Sequence, residues 1–439
     1  MRQAFKIVLP LVFLVGGLVA ASFLFGGTRS AVCWQSLRAI AIESDDWGLA
    51  GFVPDQDSWA GLDRKLLKYG AIPEAYWLST LEDSSMVGRL NRVLASHVGR
   101  DGHPAVLQPN YIMSSLSHEQ DGWVRRDLPD LPPAYRRPGL WEAVAAGIEG
   151  GTWYPEYHGT WHYDPDLRMQ EALAGDFART VTGRGIMLFP GSDRAWELGA
   201  WRHNPDLAED LDGSLACFQV LFGRPVNSVI APDYHWDARM EDMWSSRNLR
   251  VIQGKREQIN AAWGVGKSGR LRKYLERHWD RFAHPERTYL ERNCRLEPVQ
   301  APDPGAVVLQ CVAETRSAWA AGQPAIVESH RINFAHTDAA LVETGLAALD
   351  RYLDLVAGNQ SEAPVFLTDH EIAQLNGSGT SWRVKGGVVI LRNATRSLRV
   401  LEVPGAALTR AAAARGDQRT FEEGLLVSLP AGVTYDLVP

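Results

Sequence analysis

A chain of 439 residues with 45% hydrophobic and 22% charged positions can bury a large core, so disorder is excluded as its default state. The net charge of −7 and the scattered arginines give no basic field for gripping phosphates, which argues against a nucleic-acid partner. Sixteen tryptophans point weakly toward carbohydrate, since aromatic faces that are not spent on packing make platforms for sugar rings.

In chain order, the first element is apolar. Arg2 and Lys6 precede the uncharged run from Ile7 to Phe25, which as a helix would cover about 28 Å of hydrocarbon. The flanking positive charges keep the N-terminus cytoplasmic, so residues 1–29 are expected to be an uncleaved membrane anchor, with the rest exported. A cleaved signal peptide, with Ala20-Ala21 as its small residues and a secreted product, is the alternative. Cys33 lacks the preceding pattern of a lipidation site.

Beyond the anchor, short apolar runs alternate with helical segments, the texture of an α/β fold. Strands are expected at Leu37–Ile42, Ala105–Leu107, Gly185–Phe189, Ser228–Ile230, Arg250–Ile252, Ala325–Glu328 and Val365–Leu367. Asp164-Pro165 should cap a helix from Asp166 to Arg179, and Thr368-Asp369-His370-Glu371 is a capping box for the helix after the last strand. Seven strands suit a distorted or incomplete (β/α) barrel over residues 30–376. "GSGTSW" reads as a linker, and the alternating pattern from Val384 onward predicts a small β domain over 377–439, too small to be stable alone and therefore packed on the barrel. Cys294 and Cys311 could form a bridge in an oxidising compartment or remain buried thiols.

Barrels place their chemistry just after each strand. Those positions hold Glu43, Asp45 and Asp46; Gln108 and Asn110; Asp233, His235 and Asp237; and His330 with Arg331. In "PEYHGTWHYDPD", His158 and His162 stand four apart and can face one ion from a single turn. One carboxylate and two imidazoles leave a coordination position open, the arrangement of a catalytic zinc site, where a bound water becomes a nucleophile near neutral pH.

These residues resemble the polysaccharide deacetylases of carbohydrate esterase family 4. Ser44-Asp45-Asp46-Trp47-Gly48 is similar to the family's Asp-Asp-Gly with one residue interposed, and His158-Gly159-Thr160-Trp161-His162 to its His-(Ser/Thr)-x-x-His. The resemblance implies Asp45 as general base, Asp46, His158 and His162 as ligands of a divalent metal, zinc first, and His330 in "AIVESH" as general acid. "VIAPDYHWD" (229–237) looks like the third motif, but Ala231 stands where the family has the Arg that orients the base. The acid that tunes the catalytic His has no counterpart around "VIQGKRE", and His336 competes with His330 for that role. Trp47, Tyr157, Trp161, Asp233, His235 and Arg331 are the expected substrate-binding residues.

The implied activity is metal-dependent removal of acetyl groups from an envelope or extracellular polysaccharide. Two rivals remain. A glycoside hydrolase would pair Glu43 or Asp45 with Glu156 or Asp233 across about 5–9.5 Å, and an inactive polysaccharide-binding protein would keep the groove without the chemistry. Glu43 projects on the same side of its strand as Asp45, which makes it either a support for the site or the glycosidase carboxylate.

Overall fold

The computed structural model describes residues 32–51, 54–60, 75, 78–119, 122–162, 207–234, 236, 238–255, 279, 283–358 and 363–439. The expected anchor, the strand at 185–189 and the helix at 166–179 lie outside these residues. Among the described residues no helix is long and apolar enough to cross a membrane.

Nine parallel strands form the main sheet: β1 (Ala39–Trp47), β2 (Leu107–Ile112), β3 (Glu156–Gly159), β4 (Ser228–Val229), β5 (Val251–Gly254), β6 (Thr288–Glu291), β7 (Cys294–Arg295), β8 (Ala325–His330) and β9 (Val365–Phe366). They pair in the order β6-β5-β4-β3-β2-β1-β8-β7, with β9 on the first two residues of β1. Helices separate them, including α1 (Ser84–Ser96), α2 (Leu140–Gly150), α3 (Leu207–Phe222), α4 (Ala238–Ser246), α5 (Pro304–Ala320) and α6 (Ala339–Ala357). The fold is a distorted (β/α) barrel. β6 and β7, at opposite ends of the pairing order, are separated in the chain only by Arg292 and Asn293. The Arg292 N–H donates to Gly254 O (2.9 Å) and the Asn293 N–H to Ile326 O (3.1 Å), so one segment holds both edges of the sheet and closes it.

Alternation along each strand sets what faces inward. On β1, Ile40 and Ile42 join the outer core against the helices, while Ala39 and Ala41 point in and pack with Val251, Leu290, Ile326 and Val365 as an apolar plug at the base. The next inward residues are polar: Glu43 and Asp45 on β1, Gln108 and Asn110 on β2, Glu156 and His158 on β3, Ser228 on β4, Gln253 on β5, and Glu328 and His330 on β8. The interior therefore changes from dry to polar toward the carboxyl ends of the strands.

Sequence expectation and structure differ in places. The second strand starts at Leu107 and runs through Pro109, which sequence reading takes for a strand end. The segment 288–295 was not expected as strand, because it is short and charged at its close. "GSGTSW" is no linker: α7 (Asp369–Ser378) runs into it from the capping box, Gly379 ends the helix in the left-handed region, and β10 (Thr380–Lys385) follows at once. The C-terminal sheets comprise β10, β11 (Val388–Asn393) and β14 (Thr434–Leu437) in one, and the antiparallel pair β12 (Arg399–Val403) and β13 (Leu425–Leu429) in the other. A helix, α8 (Gly405–Ala413), packs among them, so the part is not purely β. It is fastened to the barrel by buried charge: Arg392 on β11 pairs with Asp101 (2.7 Å) and with Glu371 of α7. All four cysteines are free thiols. Burial raises the Cys294 and Cys311 thiols, Cys294 to about 12, so both stay protonated.

Gly345 on α6 lets the helix lie directly on the turn after β8, where a Cβ would stand 1.6 Å from Asn333 O. Gly345→Ala should destabilise the fold by about 3 kcal/mol, the upper end of overpacking costs, because backbone rather than a flexible side chain must yield. Chemical unfolding curves measure it, and an unchanged midpoint refutes the close approach.

Candidate functional site

Adjacent carboxylates on one strand normally point to opposite faces, yet both Asp45 and Asp46 reach the polar end of the barrel. The reason is a bulge: the register between β1 and β2 shifts between Ser44 and Trp47, and Asp46 takes the left-handed conformation at φ 68°. Asp tolerates that region better than most residues do. Gly48, also at positive φ, ends the turn, and its N–H donates to the buried carboxylate of Glu82 (3.3 Å).

Turned this way, Asp46 Oδ1 lies 3.0 Å from His162 Nε2 and 3.4 Å from His158 Nε2. Their ligand atoms all fall within 4.8 Å of one another. His158 Nδ1 faces Ile230 O at 3.1 Å, and a carbonyl can only accept, so Nδ1 carries the proton and Nε2 is the nitrogen aimed at the cluster. Donors about 2.0–2.2 Å from a tetrahedral centre stand about 3.4 Å apart, and one carboxylate oxygen with two imidazole nitrogens is a zinc-type set. These residues fit a divalent metal. Burial alone would raise the Asp46 carboxyl, but His162 and His158 hold it well below the ordinary range, so it is ionised and ready to ligate.

Asp45 is held differently. Arg292, buried at the seam between β6 and β7, donates to both its oxygens (Nη1 to Oδ2 2.6 Å, Nη2 to Oδ1 2.7 Å). Asn110 Nδ2 adds a third bond at 2.8 Å. Burial opposes the charge, but Arg292, with His158 and His330, keeps the Asp45 carboxyl far below its usual range. The same guanidinium donates from Nε to Glu43 Oε2 (2.5 Å) and from Nη1 to Tyr234 OH (2.8 Å), while Tyr234 OH donates to Glu328 (2.9 Å). Glu43 thus sits behind Asp45 on a shared arginine.

His330 comes from the end of β8, with Nε2 3.9 Å from Asp45 Oδ2. Its Nδ1 donates to Glu297 Oε1 (2.5 Å), and Asn333 Nδ2 fixes the other Glu297 oxygen (2.8 Å). Burial disfavours the imidazolium, but Glu297, helped by Asp46 and Asp45, raises its pKa to about 10. His336 is elsewhere in function: its Nε2 bonds Ala75 O (2.9 Å) and its Nδ1 accepts the Asp338 N–H (3.0 Å). Burial lowers its pKa.

Several expected substrate contacts are corrected by packing. Trp47 is buried against Trp153 (ring centroids 4.8 Å) and Phe334, with its N–H on Ser44 Oγ, so it offers no face to a sugar. Tyr157 points out of the barrel and bonds Thr160 and Ser214. The Trp161 ring is covered by Arg125 at 5.2 Å. Arg331 is 1% exposed and bonds Ser79, with its charge toward Glu82. The side chain of Asp233 and all of His235 lie outside the described residues. Glu156 is tied to Arg224 and to the N–H groups of Asn227 and Ser228, which removes it as a glycosidase carboxylate.

Sequence reading missed Arg292 and Glu297, for one reason: the strands that carry them were not recognised. Had "TYLERNCRLEP" been taken as a strand pair, both would have fallen at strand ends. Gln253, from the strand searched for the missing acid, instead bonds Asn110, Ser228 and Arg292.

No protein-family model and no curated protein matches the sequence. Among solved structures, the carbohydrate deacetylase Agd3 aligns at 10% identity over 91% of this chain and 65% of its own, with a TM-score of 0.39. The 4-alpha-glucanotransferase of Thermococcus litoralis aligns at 10% identity over 76% of this chain, which spans 40% of that enzyme, with a TM-score of 0.37. AmyP in complex with maltotriose aligns at 10% identity over 94% and 99% of the two chains, with a TM-score of 0.31. Likeness this loose carries no argument about activity.

Glu297→Gln removes the charge that keeps His330 protonated, so the imidazole titration, followed by NMR in the metal-free protein, should fall from about 10 toward the ordinary value of about 6.5. An unmoved titration rules out Glu297 as its cause. Arg292→Gln leaves Asp45 and Glu43 buried without a counter-charge, at a cost of about 3–5 kcal/mol at neutral pH. Because Arg292 depresses the folded pKa of Asp45, that stabilisation is present above the unfolded carboxyl pKa and lost as pH falls through the folded one. The stability gap between the variant and the parent, read from unfolding curves, should therefore narrow on acidification; a pH-independent gap contradicts the ion-pair account.

Proposed function

We propose that the protein is a metal-dependent hydrolase that removes acetyl groups from a polysaccharide outside the cytoplasm. The observation that carries this reading is the juxtaposition of an Asp-His-His cluster with a carboxylate held ionised and an imidazole held protonated. Asp46, His158 and His162 would hold the metal, which when bound supplies Lewis-acid polarisation of an acyl carbonyl and lowers the pKa of water.

The chain's own groups do the rest. Asp45 orients the attacking water and takes its proton as the new C–O bond forms. Pinned by Arg292 and Asn110, it is a weak base but an ionised one at every working pH, so its position matters more than its basicity. His330 gives its Nε2 proton to the departing amine or hydroxyl as the acyl bond breaks, while Glu297 on Nδ1 steadies the ring. Glu43, Glu328 and Gln253 contribute no proton; they hold Arg292 and, through it, Asp45.

Residues 7–25 would anchor the protein in a membrane with the barrel on the exported side, as the charges of Arg2 and Lys6 favour. A glycoside hydrolase is the second reading, favoured by the two acids Asp45 and Glu43 on one face of β1. It is weakened by the burial of Glu43 on Arg292, away from any sugar.

Metal content and acetate release from acetylated polysaccharides test the proposal together. His158→Ala and Asp46→Ala should each lose bound metal about 10-fold or more and lose acetate release, while Asp45→Asn should keep the metal and lose the activity. Metal unchanged in the first pair overturns the ligand set, full activity in Asp45→Asn overturns the base, and new reducing ends without acetate establish the glycosidase.

A further inference from the structure

The polar interior holds one acid that the proposed chemistry does not use. Asp369 is the first residue of α7, whose Ile372 and Leu375 pack with Ala39, Ala41, Val251 and Leu290 in the apolar plug at the base of the barrel. That seat brings Asp369, fully buried, into hydrogen-bond contact with Glu43, which is buried as completely.

The two carboxyl groups have complementary gaps. Arg292 Nε donates to Glu43 Oε2 (2.5 Å), while Glu43 Oε1 has no N–H or O–H donor among the described residues. Ser228 Oγ donates to Asp369 Oδ2 (3.4 Å), and Asp369 Oδ1 likewise has no such donor. Two anions touching in a dry interior repel strongly, and each would leave an oxygen bare. A single proton between Oδ1 and Oε1 satisfies both.

The surroundings decide which acid carries it. Glu43 meets the Arg292 guanidinium, which favours its anion. Asp369 has no such cation: burial and the charges of Glu43 and Glu156 raise its pKa well above the carboxylate range, against a weaker pull from Gln108. The start of a helix favours an anion, but a like charge in contact and out of water outweighs that preference.

We propose that Asp369 is a positioning residue for Asp45, a neutral acid that donates its proton-bearing Oδ1 to Glu43 Oε1. The bond keeps Glu43 turned with Oε2 on Arg292 Nε, which leaves Nη1 and Nη2 of the same planar fork for Asp45. An ionised Asp369 would push Glu43 off the guanidinium and let the fork swing. The C-terminal sheets help to seat the acid, because α7 is fastened to them through Glu371 on Arg392 and through Gln374 Oε1, which accepts the Trp382 N–H (2.8 Å). The positioning role rests on Asp45 as the base of the proposed hydrolase; the location of the proton does not.

Infrared difference spectroscopy of the metal-free full chain at neutral pH reads the proton. Parent minus Asp369→Asn should show the carbonyl band of one un-ionised carboxylic acid, which shifts on deuteration and on carbon-13 labelling of aspartate but not of glutamate. The absence of that band, or a band that moves with the glutamate label, overturns the neutral Asp369. Kinetics reads the positioning. Asp369→Leu, which fills the space but cannot donate, should lower kcat for acetate release about 10- to 100-fold with KM unchanged. Asp369→Asn, whose amide N–H can reach the same oxygen, should restore most of it. Full kcat in Asp369→Leu, or equal loss in both variants, overturns the positioning role, and the infrared result stands whether or not Asp369→Leu folds. A parent that releases no acetate overturns the hydrolase reading together with the positioning role, while the band still decides the proton.

Discussion

The site depends on one buried guanidinium. Glu43 and Asp45 lie two residues apart on the same face of β1, deep enough that water cannot screen them, and a strand ending in two such acids could not keep both ionised unaided. Arg292 meets them through all three nitrogens and adds Tyr234 and Gln253 as further partners. Its backbone lies at the seam where β6 passes into β7 and the sheet closes. The cation that makes the acids tolerable is thus placed by the closure of the barrel, and an error in closure would appear directly as an error in Asp45.

One positive charge does not balance two negative ones, and a third acid, Asp369, lies against Glu43. Glu43 is hydrogen-bonded to Asp369, at the start of α7, and neither Glu43 Oε1 nor Asp369 Oδ1 has an N–H or O–H donor elsewhere. Two bare carboxylates cannot share a buried contact. Burial pushes both pKa values up, and the Glu43 charge pushes Asp369 further, so Asp369 holds the proton and gives it to the contact. Gln108 accepts the Asp369 N–H (2.8 Å), and Ser228 donates to its other oxygen (3.4 Å). With that proton counted, Arg292, Asp45, Glu43 and Asp369 together carry one net negative charge instead of two.

What the sequence made legible follows from how local each signal is. The capping box at Thr368, the apolar approach of β1 and the His158/His162 spacing are short-range, and they appear where expected. Asp45 and Asp46 could be singled out as acids after a strand, but not the bulge that turns Asp46 toward the histidines, because register is a property of two strands. Arg292 bonds Asp45 and Glu297 bonds His330, whereas the resemblance pointed to an arginine near Ala231 and an acid near "VIQGKRE". The aromatic platforms failed for a different reason: Trp47 and Tyr157 are adjacent in sequence to site residues, and alternation sends each neighbour to the other face.

Arg292 and Glu297 are only five residues apart, and this proximity gives the site its logic. Arg292 holds Asp45 as an anion; Glu297 holds His330 as a cation; the strand β7 lies between them. The proposed reaction needs one group deprotonated and the other protonated at the same pH, and environments that drive their pKa values apart secure this without tuning either to neutrality. Here both environments come from a single segment, 291–297, so the two cannot drift independently as the barrel flexes. The consequence is a site whose resting protonation is fixed by the scaffold over a wide pH range. Under the proposed function, retention of the metal by Asp46, His158 and His162, rather than the charge of Asp45 or His330, would then set its working limits.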